Sequence, residues 1–180
     1  GVGLAIDRPD HVQYITDVSE YPHSGDELMD IARDNLRRAT KTGFRKVEDG
    51  LWVGDWKDDK FHGNGHYIFS SGERYDGELF NGSKEGRGKY YYMNGNTYEG
   101  GWKKDKKHGY GVYDYFLTGE RYLGDWDMGE KKGQGVFEFS FGQKYEGSWL
   151  KNEKSGYGKI TFQNGGYFEG EWLNVGILDR

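Results

Sequence analysis

The residue types that carry out chemistry are all present in this chain except cysteine, but their spacing argues against catalysis. Five histidines, His11, His23, His62, His66 and His108, fall in no metal-ligand spacing such as H-E-x-x-H. His62 and His108 sit just ahead of a G-x-G, where a structural hydrogen bond is the expected use. Carboxylates recur beside a glycine at Asp55, Glu78, Asp125 and Glu171. Glycoside hydrolysis needs two carboxylates facing one bond. A carboxylate repeated at intervals on a polar face predicts cross-strand pairing with Lys and Arg instead. No G-x-x-x-x-G-K-[ST] loop occurs, and the G-x-G pairs recur too regularly to be nucleotide loops. The lack of cysteine removes disulfides, thiolate nucleophiles and cysteine-based zinc sites together. The chain is expected to be no enzyme and to need no metal or cofactor.

Charge narrows the partners. The net charge is -5 and the pI about 5.6, the opposite of the basic face that nucleic-acid binders show, so no nucleic acid is expected. One dense basic run exists, Lys103, Lys104, Lys106 and Lys107, with Lys131 and Lys132 following. It has two readings: a weak contact with an anionic lipid such as a phosphoinositide head group, or a solvated hairpin edge whose lysines block unwanted strand pairing. Asp105 dilutes the run and favours the second. No apolar stretch reaches the ~18 residues of a membrane span, and residues 1–25 lack the basic start and apolar middle of a signal peptide. A cytoplasmic protein is the expectation.

Composition and periodicity give the elements behind these residues. Glycine occurs 31 times, aromatics make up 17% and proline occurs twice, a mixture that suits many short strands joined by tight turns. Mean hydropathy is -1.00, so a thick aliphatic core is not expected. WVGDW at 52–56 recurs as YDGEL, YEGGW, YLGDW, YEGSW and FEGEW, with central glycines at Gly54, Gly77, Gly100, Gly124, Gly147 and Gly170. Their steps are 23, 23, 24, 23 and 23. A G-x-G follows in each of the five full units, then a turn glycine at Gly72, Gly95, Gly119, Gly142 or Gly165. The one extra residue falls near Phe116 and Leu117. Each unit reads as a β-hairpin. Period-two alternation puts Tyr98, Gly100 and Trp102 on one face with Gly111, Tyr113 and Tyr115 of the second strand. One hairpin cannot bury its own rings, so neighbouring units must stack.

Segments such as YEGGWKKDKKHGYGVYDY and YDGELFNGSKEGRGKYYYMNG resemble MORN (membrane occupation and recognition nexus) repeats, with a consensus near YEGEW-x-x-G-x-x-HGxG. The resemblance covers about 52–180. The consensus histidine becomes Glu85, Lys132 and Ser155 in three units, and Leu79 replaces one tryptophan. The 24-residue unit followed by TGERYLGDW is also similar to radial-spoke head proteins of cilia. The resemblance implies an all-β, elongated, single-layer antiparallel sheet of tandem hairpins. It further implies scaffold or adaptor work at cytoskeletal or membrane-associated assemblies, a cilium among them. Some members grip a polypeptide along an aromatic groove; others carry the repeats beside an enzyme domain, which would make this chain a regulatory fragment.

The expected organisation is an N-terminal extended segment plus helix over 1–43 and a repeat rod over 44–180. The units fall at about 52–74, 75–97, 98–121, 122–144 and 145–167, with a half unit at 168–180. Ser24-Gly25-Asp26-Glu27 is a capping box. Leu28, Ile31, Ala32, Leu36 and Ala39 then share one face of a helix over about 25–41, expected to cap the first hairpin, with a recognition or dimerisation helix as the alternative. Gly43–Gly50 repeats the gap of Gly65–Gly72, and one reading makes it the second strand of a preceding half unit. His11–Val18 reads as a short extended segment with two places open to it, a sheet edge or the groove, and Leu173–Arg180 either caps the far end or leads into a longer protein. The partner-binding face predicted from the aromatic alternation comprises Trp56, Tyr75, Tyr90, Tyr98, Trp102, Tyr113, Tyr122, Trp126, Phe137, Tyr145, Trp149 and Trp172. Trp102, Trp126 and Trp149 are its expected anchors, since tryptophan dominates binding hot spots. The occupant is an extended peptide or an amphipathic helix, with a homodimer as a further option.

Overall fold

The structure, a computed structural model, describes the backbone of residues 42–47 and all atoms of 50–58 and 60–173. The helix expected over 25–41, the segment 1–23 and residues 174–180 of the C-terminal stretch lie outside the described residues. Within them the chain is all-β. Its strands are β1 (Thr42–Val47), β2 (Gly50–Lys57), β3 (Lys60–Phe69), β4 (Arg74–Phe80), β5 (Ser83–Tyr91) and β6 (Thr97–Lys103). There follow β7 (Lys106–Tyr115), β8 (Glu120–Asp127), β9 (Glu130–Glu138), β10 (Lys144–Leu150), β11 (Glu153–Thr161) and β12 (Tyr167–Trp172). They form an antiparallel sheet in sequence order that does not close on itself. The chain divides into two compact units, 1–84 and 85–180. In the first, β1 pairs with β2 with Gly43 opposite Gly54, as a preceding second strand would.

Two kinds of turn alternate, and local sequence selects each. After the tryptophan strands the chain reverses over two residues that both have positive φ: Lys104 and Asp105 (48° and 65°), Met128 and Gly129 (48° and 100°), Lys151 and Asn152 (49° and 70°). Such turns match the right-handed twist of a hairpin. The other connections are wider. The Gly95 N–H donates to the Tyr92 carbonyl at 3.0 Å, and the Gly142 N–H to that of Phe139 at 3.1 Å. Between β7 and β8 the Gly119 N–H instead reaches the Tyr115 carbonyl, one residue further back, at 2.9 Å. The extra residue of the 24-residue unit is therefore absorbed in the Phe116–Gly119 turn.

Glycines line up across the sheet. In the second unit Gly88, Gly100, Gly111, Gly124, Gly135, Gly147, Gly158 and Gly170 oppose one another on successive strands. This track makes room for tyrosine rings. A Cβ on Gly111 would collide with the Tyr98 hydroxyl, and one on Gly135 would come within 2.5 Å of the Tyr122 hydroxyl. Each such tyrosine lies flat along the track and donates its hydroxyl to the carbonyl three residues ahead. Tyr75 reaches Glu78 at 2.9 Å, Tyr98 reaches Gly101 at 2.9 Å, Tyr122 reaches Asp125 at 3.0 Å and Tyr145 reaches Ser148 at 3.0 Å. In the first unit Trp52 takes the same place and donates its indole N–H to the Asp55 carbonyl at 3.1 Å.

These tyrosines also join hairpin to hairpin. Tyr98 meets Trp102 of its own strand at 5.2 Å and Trp126 of the following tryptophan strand at 5.4 Å. Tyr122 meets Trp126 and Trp149, and Tyr145 meets Trp149 and Trp172, at 5.1 to 5.4 Å. All six pairs are edge-to-face, the arrangement the ring quadrupoles favour.

Candidate functional site

The aromatic face has two tiers, which sequence reasoning merged into one. The lower tier is core. Tyr75, Tyr98, Tyr122 and Tyr145 are 0% exposed, and Trp102, Trp126 and Trp149 between 4% and 6%. The indole N–H groups are spent internally, Trp102 on the Gly88 carbonyl at 3.0 Å, Trp126 on that of Gly111 at 3.4 Å and Trp149 on that of Gly135 at 3.3 Å. The three tryptophans expected as anchors are thus the floor of the sheet. The glycine track lets the tyrosines sink onto the backbone, and the edge-to-face contacts close the remaining space. Tyr90 is likewise buried, whereas Trp56, Tyr113, Phe137 and Trp172 keep partial exposure.

The upper tier comes from the second strand of each hairpin and, Tyr90 apart, is half-buried in the second unit. In the second unit its rings run Tyr90–Tyr92 (4.6 Å), Tyr92–Tyr113 (5.6 Å), Tyr113–Tyr115 (4.6 Å), Tyr115–Phe137 (5.9 Å) and Phe137–Phe139 (4.7 Å). Tyr92, Tyr115 and Phe139 were missed as site residues. Their signal was the alternation Gly111, Tyr113, Tyr115, which carries one ring further from the glycine track than the predicted set. Burial pushes the Tyr115 phenol up to about 12, with Tyr113 and Glu120 adding to it. Burial raises the Tyr98 and Tyr122 phenols further still.

A row of lysines shares this face, which sequence reasoning also missed. The register sets Trp102 opposite Lys107, Trp126 opposite Lys131 and Trp149 opposite Lys154. The ammonium of Lys107 lies over Trp126 at 4.1 Å and Tyr113 at 4.7 Å. That of Lys131 lies among Tyr122, Phe137, Trp149 and Tyr115 at 4.9 to 5.4 Å. Lys154 faces Phe139, Trp172 and Tyr145 at 4.9 to 5.1 Å. Backbone clips fix the row: the Gly129 N–H donates to the Lys107 carbonyl at 2.8 Å, and the Asn152 N–H to that of Lys131 at 3.1 Å. Burial lowers Lys107 to about 8, helped by the charge of Lys131. It lowers Lys131 to about 8 against the opposing pull of Glu120 and Glu153. Lys154 is also lowered by burial.

This placement corrects the four-lysine patch. Lys107 turns onto the aromatic face while Lys103, Lys104 and Lys106 stay exposed around Asp105. The Lys104 N–H is held by a Glu85 carboxylate oxygen at 3.0 Å. A two-residue turn interleaves the strand faces, so neighbours in sequence separate in space.

The opposite face carries ion pairs beside an apolar patch in which Val112, Leu123 and Val136 oppose one another on successive strands. Lys89 bridges Glu99 at 3.2 Å, Arg121 bridges Asp114 at 2.9 Å and Arg74 bridges Asp76 at 2.7 Å. Asp125 departs from the expected pairing with Lys or Arg: its carboxylate accepts the Gln134 N–H at 2.9 Å. The positive φ of Gly133 (97°) at the register shift opposite Trp126 brings that N–H within reach of the short side chain. The turn histidines also differ from expectation. His62 packs against Phe80 at 5.1 Å with the rings tilted by 50°, and His108 Nδ1 approaches Asp127 at 3.4 Å without hydrogen-bond geometry. Among the described residues no three His, Asp or Glu side chains gather as metal ligands.

With this geometry the chain can be compared with known proteins. Among solved structures it is similar to the TCP domain of SAS-4 (dCPAP) of Drosophila melanogaster, which was solved in complex with a proline-rich motif of Ana2 (dSTIL). The identity is 11% and the TM-score 0.49, over 93% of this chain and 85% of that one. No curated protein sequence matches. The family model for the MORN repeat matches residues 52–74, 75–97, 98–116, 122–142 and 145–167, more than half of the chain. Those limits follow the hairpins traced here, and the chain belongs to the MORN repeat family.

Proposed function

We propose that this chain is a non-catalytic scaffold or adaptor that holds a partner polypeptide along the upper ring tier of its second unit, at a cytoskeletal or membrane-associated assembly. One observation carries the reading. Tyr92, Tyr113, Tyr115, Phe137 and Phe139 form a continuous, half-exposed aromatic strip on a single-layer sheet, and no second layer covers it among the described residues. Continuous apolar strips of this kind mark interaction sites.

The test uses the whole chain as bait, then a purified partner for affinity measurement. Tyr115→Ala with Phe139→Ala removes two upper-tier rings and spares the floor. It should weaken the partner by about 2 kcal/mol or more, as loss of hot-spot residues does, while the near-UV circular dichroism stays native. A folded double variant that binds its partner as tightly as the parent would sink the reading.

A further inference from the structure

We propose that Lys107, Lys131 and Lys154 form a ladder of carboxylate-binding positions, selecting an acidic, extended polypeptide that presents one carboxylate about every third residue along the ring strip. The inference rests on the function proposed above and names the chemistry of its partner.

The first argument is positional. Phe61 stands opposite Trp56 in the first unit, where Lys107, Lys131 and Lys154 stand opposite Trp102, Trp126 and Trp149. Phe61 fills its place with ring contacts alone, 4.8 Å to Trp56 and 5.5 Å to Trp52. Packing at this position does not require a charge. The second unit nevertheless carries one in each of three successive hairpins.

The second argument is what those charges lack. Among the described residues none of the three ammonium groups has a hydrogen bond or an ion pair; their contacts are the rings. An ammonium has three donors, and rings offset its desolvation only in part. Lys131 is just 8% exposed. The charged groups that act on the row are Glu120 of β8, Glu153 of β11 and the lysines themselves. A carboxylate arriving from outside meets ammonium groups lodged among rings, on backbone that the Gly129 and Asn152 clips hold at Lys107 and Lys131.

The third argument is pitch. One lysine per two strands is a repeat of ~10 Å along the sheet. Polyproline II advances ~9.3 Å in three residues and returns the same edge to the same face. An α-helix makes a comparable advance of ~10.5 Å in seven residues and returns to within about 20° of the same face. The pitch therefore fits a carboxylate every third residue of an extended chain or every seventh of a helix, and the Pro-Pro-Glu spacing tests the first.

The test is fluorescence anisotropy on the full chain with two labelled peptides long enough to pass all three lysines, one of repeated Pro-Pro-Glu and one of repeated Pro-Pro-Gln. The acidic peptide should bind about tenfold tighter, with the gap shrinking as salt rises. The combined Lys107→Met, Lys131→Met and Lys154→Met variant should close the gap, and the corresponding arginine variant should keep it. Because free Lys107 and Lys131 titrate near pH 8 and a bound carboxylate raises them, acidic binding should take up protons at pH 8–9 and weaken as pH rises through about 8. Calorimetry in two buffers reads that uptake, and the neutral peptide should show none. Equal affinity for both peptides overturns the ladder and leaves the aromatic strip standing. Binding of neither also overturns it, and the strip is then judged by the Tyr115 and Phe139 variants. Lysine-dependent capture of phosphatidylserine vesicles in place of the acidic peptide overturns it in favour of a lipid surface.

Discussion

Where the Tyr98 ring crosses Gly111, the space a methyl group would need is already filled by the phenol. Gly111→Ala must lift that ring off the track and disturb its contacts with Trp102 and Trp126 together. The expected cost is about 1–3 kcal/mol, the usual price of overpacking, read by urea unfolding. Tyr122→Phe is a finer cut: the ring stays and only the bond to the Asp125 carbonyl goes, so about 1 kcal/mol should be lost. If the two variants came out in reverse order, the hydroxyl bond rather than the close approach would be the main tie. Met128 offers the opposite sign. It sits at φ 48° without the amide that makes asparagine tolerant there, so Met128→Asn should stabilise by roughly 0.5–1 kcal/mol in the same assay.

At the scale of strands, β7 carries a half-buried lysine, β9 a buried one, and β6, β8 and β10 carry buried phenols, and these titrate in opposite senses. Lys107 and Lys131 shed their protons near pH 8 when folded but near 10.5 when unfolded, so stability should rise between those values. The Tyr98 and Tyr122 phenols are raised from 10.0, so stability should fall once the unfolded chain begins to ionise above that point. The stability profile should therefore climb from about pH 8 and turn down above 10. Thermal unfolding across pH 7–11 reads it, and a flat profile would mean the lysines are as solvated as ordinary surface ones.

The same strands show what the sequence made legible. The 23-residue step located every hairpin, and the Phe116–Leu117 region located the longer turn, because glycine recurrence reflects the track directly. Face assignment failed at Lys107, since a run such as Lys103 to Lys107 looks contiguous until the turn separates its members. The tryptophans were misread for a different reason. Alternation tells which face a ring takes but not how deep it sits, and depth here depends on glycines of adjacent strands. Asp125 was misread because the backbone N–H it serves exists only where the register shifts at Gly133.

At the scale of the whole molecule, each strand among the described residues bonds only to its neighbours in sequence. Stability in such a sheet is close to a sum over adjacent pairs, so it should grade along the second unit. Amide exchange is expected to be slowest in β7 to β9, flanked by intact ring contacts on both sides, and faster in β12, where Tyr167 and Phe168 are 61% and 55% exposed. Uniform protection from β6 to β12 would show instead a single cooperative block.

The tyrosine that lies on its neighbour's glycines has a last consequence. Every hairpin carries both halves of the joint, a ring to hand forward and a bare stretch of backbone to receive one. A duplicated 122–144 segment spliced in after residue 144 would therefore arrive with matching ends on either side, like an added stair cut to the same tread. The chain can gain or lose length by whole units without any new side chain having to be invented.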